Sequence, residues 1–316
     1  MPAHKTTQHN ILVVCFFLSF CFVSCALFYP HAPKEAPSHE DVGAKAETII
    51  RDVPYVEGQE NNPQLWLDIY SNPHEGKAPV VVLVHGGAWI MGDKTMDNKV
   101  FISKMLASNR FVVFNVNYRL APKVKIAQQI EDVMSAVIWA KKHAGEYGGD
   151  AERIAIVGAS AGGLLAAVSS WAYDDSFFKP TGYRNLDTNS QVKAVALYYP
   201  VIDLDRTLNE KMKIVPFEKQ YLTGARGKKY QQLLKHISPA NHIKAALPPT
   251  IILCGDKDNF KLYPQAVEYT DKLRELGVTT ELFVAPGKKH GFTWQYWEEE
   301  SIASVKAVIA FFNKHL

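Results

Sequence analysis

Gly158-Ala159-Ser160-Ala161-Gly162 follows directly on the apolar run Ile154–Val157. Between a strand and a helix, G-x-S-x-G sets its serine on a sharp, strained turn. The oxygen then stands above the sheet, at a helix N-terminus. The two glycines let neighbouring backbone pass close to the turn. A serine so exposed is a nucleophile for acyl transfer once a base takes its proton. The reaction passes through an oxyanion, and losing one amide aimed at that oxygen costs ~3–4 kcal/mol. His85-Gly86-Gly87-Ala88-Trp89, leaving the run Val80–Val84, has the composition for such amides. A Gly-Gly joint can turn its N–H groups inward with no side chain in the way. The amide of Ala161, just after the serine, is a further donor. His85 itself reads as structural.

A serine of this kind needs a base, and the base needs an orienting acid. On a sheet of this type the chain order is Ser, then Asp or Glu, then His. The histidines beyond Ser160 are His236, His242, His290 and His315. His290 follows the last apolar run, in the loop Pro286-Gly287-Lys288-Lys289-His290, where a strand end would present it. The run Thr250–Cys254 ends in Gly255-Asp256-Lys257-Asp258, and either aspartate satisfies the order. No His/Cys/Asp/Glu set has metal-ligand spacing, and no Gly-rich loop carries the lysine of a phosphate cradle. Cys254 reads as a small buried hydrophobe in a strand.

These groups need a scaffold that brings distant loops together. Leu65–Tyr70 alternates apolar and polar, which predicts a half-exposed strand. Val80–Val84, Phe111–Val116, Ile154–Val157, Val192–Tyr199, Thr250–Cys254 and Glu281–Val284 read as further strands, the continuous ones buried on both faces. Ile126, Ile130, Val133, Val137 and Ala140 follow the helical period, so 125–143 is an amphipathic helix. Gly162–Ala172, Tyr263–Leu276 and Ser301–His315 read as helices, the second closed by Gly277. Alternating strands and helices predict an α/β fold. Its central sheet would be mostly parallel, of about eight strands, with helices on both faces. Residues 201–247 interrupt the alternation and read as a small, partly helical insertion after the sixth strand.

The 316 residues are 47% hydrophobic and 21% charged, which excludes a disordered chain or a low-complexity polymer. A formal net charge of +3, with no clustered basic run, gives no footprint for nucleic acid. Cys15, Cys21 and Cys25 fall in one apolar stretch, which leaves no disulfide framework for the body. That stretch, residues 11–28, follows a weakly basic start and has the layout of a secretory signal. Phe22-Val23-Ser24-Cys25 resembles a bacterial lipobox, with Cys25 as the lipidated residue and Phe22 in place of the usual leucine. At 18 residues the run is also just long enough to span a bilayer. A lipoprotein signal, a cleaved leader and an uncleaved anchor all carry the body out of the cytosol. The last of these, or lipidation, would associate the N-terminus with a membrane. The expected division is a 1–28 leader or anchor, a 29–50 linker and a 51–316 catalytic body.

Further segments extend the resemblance these motifs suggest: Leu67-Asp68-Ile69-Tyr70, Asn117-Tyr118-Arg119-Leu120-Ala121-Pro122, Glu131-Asp132 and Tyr147-Gly148-Gly149-Asp150. Together they resemble the α/β-hydrolase fold, in the esterase and lipase branch. That branch includes hormone-sensitive-lipase-like and bacterial feruloyl-esterase-like enzymes. The likeness runs from Leu65 to the C-terminus, about four fifths of the chain. It implies a serine carboxylesterase acting on a small-molecule ester without a cofactor. Ser160 is then the nucleophile and His290 the base. The family sets its acid three residues after the strand-end glycine, which selects Asp258 over Asp256. The oxyanion donors map to Gly87, Ala88 and Ala161, with Gly86 shaping the turn. The branch often carries a helical cap ahead of its first strands, for which this chain leaves little room. Residues 201–247 are therefore the expected cover of the pocket. Trp89-Ile90-Met91 would wall that pocket, Trp89 foremost, and favour short to medium acyl groups. The His-Gly-Gly-x-Trp form is also similar to kynurenine formamidases and prenylcysteine esterases, so hydrolysis of an amide such as an N-formyl group is a rival reading. An inactive hydrolase-fold binding protein is another, against which the intact set of four parts stands.

Overall fold

A strand apolar at every position is stable only when both its faces are covered. Val80–Val84 meets that condition at the centre of an eight-stranded sheet in the computed structural model, which describes residues 36–180, 189–208 and 222–316. The strands are β1 Thr48–Pro54, β2 Trp66–Ser71, β3 Ala78–Val84, β4 Val112–Val116, β5 Gly149–Ala159, β6 Ala194–Tyr198, β7 Thr250–Gly255 and β8 Thr280–Ala285. Their order is β1-β2-β4-β3-β5-β6-β7-β8. β2 runs antiparallel to β1 and β4, and every other pairing is parallel.

Parallel neighbours need crossovers, and helices supply them. These are α1 Asp97–Ser108, α2 Ile126–His143, α3 Ala161–Trp171, α4 Gly227–His236, α5 Leu262–Glu275 and α6 Glu299–His315. α2 packs on α3 and α1 on α6, so helices cover both faces of the sheet. In α2, Ile126, Ile130, Val133, Val137 and Ala140 are buried, as the helical period requires. Gly277 stands just beyond α5 with φ +78°, the left-handed position that glycine occupies without steric cost.

Register does the rest. Val84 at the end of β3 lies beside Gly158 of β5, and Gly255 of β7 lies beside Ala285 of β8. The loops that follow these four strands therefore leave the same edge of the sheet, where α/β folds place their sites.

The structure departs from the sequence reading at several points. β2 is buried rather than half-exposed, because the sheet is covered on both sides here too. Its polar member, Asp68, faces inward and takes Arg51 and Lys94 as ionic partners. Two elements escaped the sequence reading. β1 is an edge strand with exposed Ile50, and α1 buries polar Asn98, Lys99 and Ser103, so neither shows an apolar period. From residue 37 on, the expected 29–50 linker is packed structure: β1 begins at Thr48, Ala44 is buried, and the Tyr296 hydroxyl donates to the Pro37 carbonyl at 2.7 Å. Pro37–Leu316 form one compact unit. Within the 201–247 insertion, α4 and a turn at Leu204–Arg206 bury Leu204, Tyr230, Leu234 and Ile237 in the main core. The leader, with Cys25, and insertion residues 209–221 lie outside the described residues.

Candidate active site

Ser160 lies between β5 and α3 with φ +55° and ψ −117°, a conformation that costs a non-glycine residue ~1–3 kcal/mol. Its N–H donates to the Tyr198 carbonyl at the end of β6, at 2.9 Å, which holds the turn against the neighbouring strand. The glycines around it are required by close approach. A Cβ on Gly158 would collide with the Gly162 carbonyl, and one on Gly162 with the carbonyls of Val84 and His85. Gly162 thus seats the start of α3 directly on the backbone leaving β3.

From the other side, a Cβ on Gly86 would press on the Ala159 carbonyl and on Cβ of Ser160 itself. Gly87 follows with φ +130° against the Met91 carbonyl, then Ala88 and Trp89 with φ +50° and +66°. Among the described residues no acceptor takes the N–H of Gly87 or Ala88. Ala161 is the first residue of α3, so its N–H has no intrahelical acceptor. The three amides named from the sequence therefore belong to two loops that touch beside Ser160.

His85 is fully buried, and burial pushes its imidazole down to about 4. Neutral at ordinary pH, it donates from Nδ1 to the Gly86 carbonyl at 2.7 Å and stacks on Tyr118, with ring centroids 4.2 Å apart. The Tyr118 hydroxyl donates to the His85 carbonyl at 3.1 Å. His85 is structural, as expected.

The remaining side chains arrive from β7 and β8. Ser160 Oγ lies 2.8 Å from His290 Nε2, and His290 Nδ1 lies 2.8 Å from Asp258 Oδ2. Nδ1 faces a carboxylate and carries the proton, which leaves Nε2 free to accept the serine proton. The Asp258 carboxylate is inaccessible to solvent, while the imidazole is 12% exposed. The other Asp258 oxygen accepts the Phe260 N–H at 2.9 Å, so the carboxylate is fixed from both sides. Asp256 is a rung between loops instead, accepting the Gly287 N–H at 2.6 Å. Cys254 is the buried hydrophobe expected, its thiol pushed up by burial and by the neighbouring Asp258.

Residues outside the sequence reading complete the setting. Asn259 accepts the His290 N–H at 3.1 Å, and the Tyr199 and Phe260 rings meet the imidazole with centroids 4.8 and 4.7 Å away. Tyr199 also bonds Thr293, which Asn98 of α1 holds from the far side. No local pattern marks these residues, although Asn259 and Tyr199 flank recognisable strand ends. Trp89 differs from its expected role. Its indole is only 2% exposed and belongs to the core, so it does not form an open pocket wall.

A sequence model of the BD-FAE family matches residues 67–273. The esterase LipQ of Mycobacterium tuberculosis is 31% identical over 245 residues, which are 76% of this chain and 56% of LipQ. An arylesterase of Saccharolobus solfataricus is 31% identical over 238 residues, which are 72% of this chain and 73% of that one. The chain spans about half the length of LipQ and of its M. tuberculosis relatives LipM and LipC. Among solved structures, esterase B from Lactobacillus rhamnosis superposes with a TM-score of 0.77 at 22% identity, over 98% of this chain and 96% of that one. Butyrate-bound esterase 2 of Thermogutta terrifontis gives 0.67 at 25% identity, over 87% and 95%.

Proposed function

Because the chain belongs to the BD-FAE family of α/β-hydrolase-fold esterases, we propose that it is a serine carboxylesterase acting on short to medium acyl esters through an acyl-enzyme. The observation that carries this reading is the unbroken Ser160–His290–Asp258 chain of hydrogen bonds beside the amides of Gly87, Ala88 and Ala161. Ser160 Oγ attacks the ester carbonyl carbon as His290 Nε2 takes its proton. The carbonyl oxygen becomes an oxyanion at the three amides. His290 returns the proton to the leaving alcohol, and water then repeats the cycle on the acyl-enzyme. Asp258 keeps the imidazole in its tautomer and stabilises its cation. The acyl preference draws support from esterase 2, solved with propionate and butyrate, and from esterase B, solved with a tributyrin phosphonate inhibitor.

The test is kcat/KM on p-nitrophenyl esters from acetate to palmitate, with N-formylkynurenine alongside. Efficiency is expected to peak at short or medium chains. A peak at palmitate refutes the acyl preference, and a formyl-amide rate above every ester moves the activity to amide hydrolysis.

The same reading puts the body outside the cytosol, carried there by the apolar run 11–28 and retained at the membrane through Cys25. Intact-mass analysis of protein from a bacterial host should find an N-terminus at Cys25 bearing diacylglycerol. An unmodified chain starting at Met1 would sink the lipoprotein assignment.

A further inference from the structure

Ala88 and Trp89 are consecutive non-glycine residues with positive φ, in the loop that carries the Gly87 and Ala88 amides beside Ser160. A left-handed non-glycine residue is strained and persists only where its surroundings hold it. The loop is held at both ends by β4 and the chain that follows it. Tyr118 takes the His85 carbonyl at one end. At the other, Asn117 Oδ1 accepts the Lys94 N–H and Asn115 Nδ2 donates to the Lys94 carbonyl, both at 2.7 Å. The strained centre has its own restraint. The Trp89 carbonyl accepts the Ala121 N–H at 3.0 Å and Nε2 of Gln129 at 2.7 Å.

Gln129 lies in the first turn of α2, far from the pocket in sequence, and is fully buried. Its Oε1 is buried with no partner among the described residues. A buried amide half satisfied in this way is unfavourable relative to an apolar side chain of the same shape. Packing alone therefore does not account for a glutamine here, whereas a donor aimed at the Trp89 carbonyl does.

We propose that Gln129 is a positioning residue for the oxyanion turn. By fixing the plane of the Trp89–Ile90 peptide it locks the left-handed pair, and with it the direction of the Gly87 and Ala88 N–H groups. This rests on the esterase reading above for its catalytic consequence, but not for its structural one.

The test is Gln129→Met, which keeps the length of the side chain and removes the donor. Five quantities are compared with wild type: kcat and KM on p-nitrophenyl butyrate, the affinity of butylboronic acid, amide hydrogen exchange across residues 86–91, and Tm. The boronic acid forms a tetrahedral adduct on Ser160 and so reports oxyanion binding. A misplacement of about 1 Å costs roughly 10²-fold, so kcat should fall by about that factor. KM should stay within about threefold, as for an interaction made only in the transition state. Boronate affinity should fall in parallel with kcat, and exchange across 86–91 should accelerate. A kcat within about threefold of wild type with unchanged exchange overturns the proposal, whatever happens to Tm. Wild-type protein that hydrolyses no ester refutes the functional reading alone, and exchange across 86–91 still decides the role of Gln129. Should Gln129→Met not fold, Gln129→Leu, which also removes the donor without burying a charge, gives the same readouts.

Discussion

Ser160→Ala is expected to lower kcat on p-nitrophenyl butyrate by on the order of 10⁶, the loss seen when a serine hydrolase loses its nucleophile. Nothing else in the site can replace the oxygen. Cys254 is buried with its thiol held protonated, and His290 is positioned to accept a proton from Oγ. The fold should survive. Among the described residues the Ser160 hydroxyl has one partner, His290, and alanine tolerates φ +55° no worse than serine does. The backbone bond from Ser160 N–H to Tyr198 is untouched. Tm should therefore change little, and residual hydrolysis would come from the oxyanion amides and substrate binding alone. A folded variant that retains wild-type turnover would refute the nucleophile, and labelling of Ser160 by a fluorophosphonate in wild type checks it independently.

The second large effect is Asp258→Asn, expected to lower kcat by on the order of 10⁴, by analogy with serine proteases. An amide no longer stabilises the imidazolium, and it can present N–H to His290 Nδ1, which favours the wrong tautomer. The contacts of Asp258 Oδ1 with the Phe260 and Leu262 N–H groups survive because the amide oxygen still accepts them. Asp256→Asn is the control. Its oxygen can go on accepting the Gly287 N–H, so activity should stay within about threefold of wild type. Reversal of the two effects would make Asp256 the acid, against the 2.8 Å contact between Asp258 and His290.

β3, β5 and β7 were legible because each holds a continuous apolar run, and the nucleophile because its turn demands glycines at fixed spacing. His290 followed from chain order and a strand end. Asp258 and Asp256 could not be separated by residue type or by position on the loop, and only the resemblance chose between them. The contacts that aim these groups escaped for a different reason. Gln129 and Trp89 are 40 residues apart, and the Asn98–Thr293 bond joins residues 195 apart. Such pairs are set by how helices pack on the sheet, and a buried Gln or Asn inside a helix carries no local mark of its partner. α1 was missed for the same reason, since its buried face is partly polar. The strained pair Ala88–Trp89 was equally invisible, because nothing in alanine or tryptophan announces positive φ.

Backbone rests on backbone where Gly162 meets the His85 carbonyl and Gly86 meets the Ala159 carbonyl. The gap between nucleophile and oxyanion amides is thus set by the thickness of two peptide chains, with no side chain as a spacer. This separates two inheritances within one pocket. Side chains around Ser160 that make no part of this contact can be exchanged without moving it. The pocket's reaction geometry travels with these two glycines, so a redesign that spares them leaves that geometry untouched.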